Sequence, residues 1–141
     1  MKEFECPAVL DNLRPVLALS SEEMIACSTL TGVRQRLFVV LEELFVNSVT
    51  HAYAGQATPG PVRVRIVADE DMVTLRISDR GSPFNPLELD DARRLANLEN
   101  MQEGGAGLFL VKTLSQSVEY EYANGWNCVT VVIAAREGDE G

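Results

Sequence analysis

Three side chains of one helical segment could act together in proton transfer and metal binding. Glu43, Asn47 and His51 recur at spacings of four residues, so they lie on the same face of a helix. A carboxylate can accept a proton from a hydroxyl or a water, and an amide oxygen is a suitable ligand for Mg²⁺. Such pairs are also common on solvated helix faces, which is the alternative interpretation.

A second candidate lies where an apolar strand ends, at Asp79 and Gly81. There a carboxylate stands at a pocket edge and could accept a hydrogen bond from an exocyclic amine. Glycine lets the backbone approach a ligand closely. Taken alone, Asp-x-Gly is more often simply a turn.

A third candidate is a run of glycines, Gly104, Gly105 and Gly107, placed directly before an apolar helix that begins at Leu108. Backbone N–H groups of such a loop and of a helix N-terminus can bind phosphate. The run lacks the lysine of GxxxxGK[ST], and it does not follow a strand as GxGxxG does. A plain flexible loop is the alternative.

The elements that must position these residues follow from hydrophobic periodicity. Helices are predicted over residues 12–29, with Asp11 as N-cap, and from Val33 to about Tyr53, with Thr31 as N-cap. Alternating or apolar runs predict strands over residues 2–6, 62–66, 73–77, 118–123 and 128–134, and Asn124-Gly125 predicts a hairpin.

The order β-α-α-β-β-loop-α-β-β predicts an α+β fold. We expect a two-layer sandwich in which a mainly antiparallel mixed sheet is covered on one face by helices. The segment from residue 80 to 107 interrupts the pattern, and it includes a possible short polar helix over 87–98. A connection of this length is usually functional or mobile. The polar tail from Arg136 is expected to fray.

Composition limits the classes of function. The 141 residues suit one domain, and 12 Lys and Arg against 21 Asp and Glu give a net charge of −9. That charge argues against non-specific nucleic-acid binding and against an anionic membrane surface. Three scattered cysteines form no disulfide framework, and no apolar run reaches the length of a membrane span. A cytoplasmic protein is expected.

The three candidates stand in an order and spacing that resembles the ATP-binding domain of gyrase, heat-shock chaperone, histidine kinase and mismatch-repair ATPases. Within that superfamily the chain is similar to the anti-sigma factor serine-protein kinases of bacterial partner-switching systems. The similarity runs from about residue 7 to 134 and rests on Asn47 to Tyr53, Asp79 to Phe84, and Glu103 to Leu110.

The resemblance implies a single ATP-binding kinase domain over residues 1–141, with a lid at about 82–103. It implies that Glu43 is the general base and that Asn47 coordinates Mg²⁺ on the phosphates. Asp79 would bind the adenine amino group, and Gly81 would let the base sit close. The other implied nucleotide-binding positions are His51, Gly104, Gly105, Gly107 and Leu108.

The resemblance also implies ATP as cofactor and a small anti-sigma-factor antagonist, phosphorylated on serine, as substrate. It implies a sigma factor as second partner and a homodimer. The chain departs from the pattern at Asn85, where many relatives have Asp, and at Glu103, where some have Arg. Near the adenine, Asn127 or Cys128 replaces a frequent Thr.

Two other functions stay open at this stage. One is the catalytic fragment of a histidine kinase, although His51 is the chain's one histidine and the phosphoacceptor would then lie on another chain. The other is a nucleotide-binding regulatory module without transfer activity, which would change partner affinity through lid order.

Overall fold

The computed structural model describes residues 1–87 and 105–139. Gly104, residues 88–98 of the short helix predicted over 87–98, and residues 88–103 of the predicted lid, among them Glu103, therefore lie outside the described residues. The strands are β1 (Lys2–Pro7), β2 (Pro61–Ala68), β3 (Met72–Asp79), β4 (Ser117–Ala123) and β5 (Trp126–Ala134), and the helices are α1 (Leu13–Ala26), α2 (Thr31–Asn47) and α3 (Gly105–Leu114). This order of elements confirms the predicted one.

The five strands form one sheet in the order β1-β2-β3-β5-β4. Every described pairing is antiparallel, so the expectation of a mixed sheet is wrong. The reason is topological. Strands β3 and β4 run in the same direction, but β5 lies between them and pairs antiparallel with both. The register places Asp79 directly opposite Asn127.

Helices cover one face of the sheet, as predicted. The inward residues of β2 and β3 alternate with polar ones and are fully or almost fully buried, at positions Val62, Val64, Ile66, Val73, Leu75 and Ile77. The apolar stripe of α2 packs on them through Leu37, Val40, Leu41, Leu44 and Phe45. Each such burial contributes about 1.5–3 kcal/mol. The stripe fixes the rotation of α2 and therefore the direction of its polar face.

The predicted helix caps are wrong. Asp11 lies in a 3₁₀ turn, Leu10–Asn12, and α1 begins only at Leu13 without a side-chain cap. Thr31 is the first residue of α2, and its hydroxyl oxygen accepts a hydrogen bond from Arg34 Nη2 at 3.0 Å. Local capping residues were outweighed here by the packing that positions both helices.

The expectation that the tail after β5 frays is also wrong over its described part. Arg36 on α2 holds the carboxylate of Asp139 with two hydrogen bonds of 2.8 and 2.6 Å. The same guanidinium donates to the carbonyl of Ala134 at 2.8 Å. A partly buried bidentate contact of this kind orders a chain end that composition alone marks as solvated.

Two local conformations shape the chain around the sheet. The second helix leaves α geometry at Ser48–Ala52, where it continues as one π-helical turn. Such turns occur often at functional sites. Asn124 and Gly125 both have positive φ, of 54° and 84°, as a two-residue hairpin turn requires. In the described ranges no helix has the length and apolarity to cross a membrane.

Candidate functional site

A cleft opens between the end of α2 and the neighbouring ends of β3 and β5. The helix side contributes Asn47, Ser48, His51 and Ala52; the sheet contributes Ile77, Asp79, Tyr120, Asn127 and Val129; and the chain after β3 contributes Ser82, Phe84 and Pro86. Three predicted site residues from two separate segments, Asn47 and His51 of the second helix and Asp79 of β3, thus line one cleft.

The carboxylate of Asp79 is held in place by three donors. Its Oδ1 accepts hydrogen bonds from the Gly81 amide at 3.1 Å and from Asn127 Nδ2 at 3.0 Å. Its Oδ2 accepts one from the Ser48 hydroxyl at 3.2 Å. Apolar side chains, among them Leu44 and Ile77, line the cleft beside it. A fixed carboxylate against an apolar wall can select a flat ligand that carries an amino group.

Gly81 is where the chain after β3 meets the end of the second helix. A Cβ at this position would stand 2.8 Å from both Cα and the carbonyl carbon of Ala52. Real side chains do not approach backbone so closely, so only glycine fits. The sequence predicts that Gly81 lets a ligand approach the backbone closely. In the structure Gly81 also lies close to the backbone of the π-helical turn.

Asn127 is the residue that sequence reasoning missed as a participant, because it noted the position only as a departure from a family pattern. The residue is 7% exposed and lines the cleft. Its Oδ1 accepts hydrogen bonds from the Phe84 amide at 3.0 Å and from the Tyr120 hydroxyl. Its place opposite Asp79 comes from the pairing of β3 with β5, two strands that are not consecutive in the chain, and no local sequence pattern signals that pairing.

An aromatic contact closes one side of the cleft. The ring of His51 stacks on Phe84 with a centroid distance of 5.7 Å and an interplanar angle of 23°. Beside it, the hydroxyl of Tyr53 accepts a hydrogen bond from the Arg80 amide at 2.7 Å and donates one to the Pro61 carbonyl. These contacts tie the helix end to the strands on which the cleft is built.

Glu43 lies one helical turn before Asn47 and on the same face of α2. It does not line the cleft itself. Partial burial, with a smaller contribution from the charge of Glu42, raises the pKa of the Glu43 carboxyl above its ordinary value. A carboxylate with a raised pKa is a better proton acceptor.

Gly105 and Gly107 of the predicted phosphate-binding run lie on a helix that packs against α2. Helix α3 begins at Gly105, has Gly107 in its first turn, and packs against α2. Leu108 is buried in the core, so only its backbone is available to a ligand. Within residues 1–87 and 105–139, no group of three or more His, Cys, Asp or Glu side chains could hold a metal. Any metal here would need other ligands beside Asn47.

Comparison with known proteins gives a consistent result. The histidine kinase-like ATPase domain matches residues 6–133. Serine-protein kinase RsbW of Bacillus pumilus is 31% identical, with 69% of each chain covered. RsbW of Listeria monocytogenes serotype 4a is 32% identical over 66% of this chain and 61% of its own. Serine/threonine-protein kinase BtrW of Bordetella bronchiseptica is 26% identical over 70% and 69%.

Solved structures show the same fold. The RsbU and RsbW domains of a Mycobacterium tuberculosis protein superpose with a TM-score of 0.58 at 17% identity, over 96% of this chain and 34% of that one. The histidine kinase domain of a blue-light activated kinase from Erythrobacter litoralis gives 0.55 at 14% identity, over 94% and 63%. The α+β fold predicted from the element order is thereby confirmed.

Proposed function

Since the chain belongs to the histidine kinase-like ATPase domain family, we propose that it is an ATP-dependent protein-serine kinase and an anti-sigma factor. It phosphorylates a small anti-sigma-factor antagonist and sequesters a sigma factor. The observation that carries this proposal is the fixed carboxylate of Asp79, which faces the same cleft as Asn47 of α2. Relatives named as serine-protein kinases support the choice of reaction.

Different residues of the cleft bind different parts of the nucleotide in this proposal. Asp79 accepts a hydrogen bond from the adenine amino group, and the apolar wall packs on the base. Asn47 offers its amide oxygen to Mg²⁺, which neutralises phosphate charge when bound. The phosphates meet the glycine run at the start of α3, at Gly104, Gly105 and Gly107. His51 stands near the phosphate end.

Glu43 acts in the transfer step. Its carboxylate takes the proton of the substrate serine hydroxyl while that oxygen bonds to the γ-phosphorus, and ADP leaves with the electrons of the broken P–O bond. The raised pKa of Glu43 favours this role. Most of the acceleration then comes from positioning and from charge neutralisation.

The partners follow from the proposed class of kinase. They are the antagonist, the sigma factor and a second copy of this chain, in the cytoplasm. The matched segment spans 61% to 69% of the length of the relatives named above. A direct nucleic-acid or membrane role does not fit a net charge of −9.

The histidine-kinase alternative is disfavoured by the place of His51. That ring, the one imidazole of the chain, stacks on Phe84 in the cleft wall, where a nucleotide would bind rather than a phosphoacceptor. A phosphoacceptor histidine would have to lie outside these 141 residues.

The proposal is tested by phosphotransfer. The protein, ATP and Mg²⁺ are incubated with anti-sigma-factor antagonists from the same bacterium, and phosphoserine is mapped by mass spectrometry. Transfer to one serine of an antagonist is expected, and Glu43→Gln should abolish it while ATP still binds. No phosphoserine on any antagonist, with ATP bound normally, would instead support the regulatory module without transfer activity.

A further inference from the structure

The side chain of Asn127 joins the sheet side of the cleft to the chain that follows β3. Its Nδ2 lies 3.0 Å from Asp79 Oδ1, 3.1 Å from the Gly81 carbonyl and 3.0 Å from the Ser82 carbonyl. Its Oδ1 accepts from the amide of Phe84 at 3.0 Å. One amide therefore connects β5 to the strand end and to the chain that follows it.

The surroundings determine which way this amide points. Backbone carbonyls can only accept hydrogen bonds, and a backbone amide can only donate. The carbonyls of Gly81 and Ser82 therefore require the NH₂ group on their side, and the amide of Phe84 requires the oxygen on the other. The NH₂ group has two hydrogens for three acceptors, so one N–H is shared between two of them. Asn127 consequently presents a donor, and never an acceptor, to Asp79.

This donor leaves Asp79 with one defined free acceptor position. Oδ1 already accepts from Gly81 and Asn127, which uses both of its lone pairs. Oδ2 accepts only from Ser48 among the bonds described, so one lone pair remains there. The terminal torsion of an aspartate is soft, and a carboxylate without these contacts could turn.

We propose that Asn127 is a positioning residue that fixes the Asp79 carboxylate, so that Oδ2 accepts a hydrogen from a 6-amino purine and repels the oxygen of a 6-oxo purine. Asn127 thereby determines the choice of base through its hold on Asp79. This inference rests on the proposed nucleotide site and explains how that site would prefer a 6-amino purine to a 6-oxo purine.

The test compares ATP with inosine triphosphate, which carries oxygen in place of the amino group. Affinities of both, with Mg²⁺, are measured by calorimetry for the wild type, Asn127→Ala and Asn127→Ser. The wild type should prefer ATP by about 10- to 100-fold, the usual worth of a hydrogen bond to a charged group. In both variants that ratio should fall to within about threefold of unity, although inosine triphosphate still binds.

Serine serves as the second variant because it keeps a polar atom in the strand, although its hydroxyl ends one bond closer to the backbone. The matched control is Val131→Ala. Val131 lies on the same strand and is fully buried, but it does not line the cleft. It should lower the melting temperature and leave the ratio unchanged.

The outcomes separate the two proposals. Failure of the wild type to bind either nucleotide overturns the proposed function and this inference with it. Binding of ATP with equal binding of inosine triphosphate overturns only the selectivity role. Parallel loss of both affinities in the Asn127 variants, with an unchanged ratio, would reduce Asn127 to a structural residue.

Discussion

Replacement of Gly81 by alanine separates two opposing effects at one position. The backbone of Gly81 does not require a positive φ, so alanine is conformationally allowed, and its smaller unfolded-state entropy stabilises by about 0.4–1 kcal/mol. Against this, the new Cβ would lie 2.8 Å from two backbone atoms of Ala52. No rotamer change can relieve a contact with backbone, and such overpacking costs about 1–3 kcal/mol.

The cost of the clash exceeds the entropic gain, and we expect a net loss of about 1–2 kcal/mol in the free energy of unfolding. For a domain of this size that lowers the melting temperature by roughly 3–10 °C. The chain after β3 must also move away from the helix end, which disturbs the Gly81 and Asn127 contacts to Asp79. ATP affinity should therefore fall by about 10- to 100-fold.

Thermal unfolding by circular dichroism and calorimetric titration with ATP and Mg²⁺ measure the two effects. Val131→Ala is the control for stability, because it leaves a cavity in the core and is expected to cost about 2 kcal/mol without a change in ATP affinity. A Gly81→Ala protein as stable as the wild type, with unchanged ATP affinity, would refute the packing argument.

Further predictions concern charged groups. Glu43→Gln should abolish transfer and raise thermal stability at neutral pH. Because burial raises the pKa of Glu43, ionisation of this carboxyl opposes folding as pH rises above the ordinary carboxyl range. The stability gained by Glu43→Gln should therefore vanish in acid. Equal melting temperatures of variant and wild type at neutral pH would contradict this prediction. Transfer by the wild type should decline as pH falls through the raised pKa, which a pH–rate profile would show. The Arg36 guanidinium and the Arg136 amide lower the pKa of Asp139 to about 2, so its contribution to stability is complete above about pH 4 and lost as pH falls through 2. Asp139→Asn should therefore lower the melting temperature at pH 6, and the difference should shrink as pH falls from 4 towards 2; a difference at pH 2 as large as that at pH 6 would show that the contact is not ionic.

The predictable part of the fold followed from periodicity and turn chemistry. The apolar stripe of α2 and the alternation of β2 and β3 were read directly, because burial on one face imposes those periods. The Asn124-Gly125 pair also predicts its hairpin, since few other pairs of residues adopt positive φ at both positions.

Other features depend on contacts between distant segments. The docking of Asp139 on Arg36 joins positions 103 residues apart, and no local pattern signals it. The π-helical turn at Ser48–Ala52 arises where the helix end meets Gly81, which the periodicity of α2 does not reveal. The absence of parallel pairs among the described strands depended on β5 lying between β3 and β4.

The candidate site divides in the same way. Asn47, His51 and Asp79 were predicted from spacing and do line one cleft. Asn127 was not assigned a role, because its importance comes from the strand register that sets it opposite Asp79. The roles given to all the site residues stay predictions: Glu43, Asn47, His51, Asp79, Gly81, Gly104, Gly105, Gly107 and Leu108.

The central claim is that the cleft binds ATP through Asp79. The most direct measurement is calorimetric titration of the wild type with ATP and Mg²⁺ beside Asp79→Asn, which keeps the shape of the side chain but replaces an acceptor by an amide donor. We expect saturable binding by the wild type that weakens at least about 10-fold in the variant. Equal binding by both proteins, or none by the wild type, would contradict it.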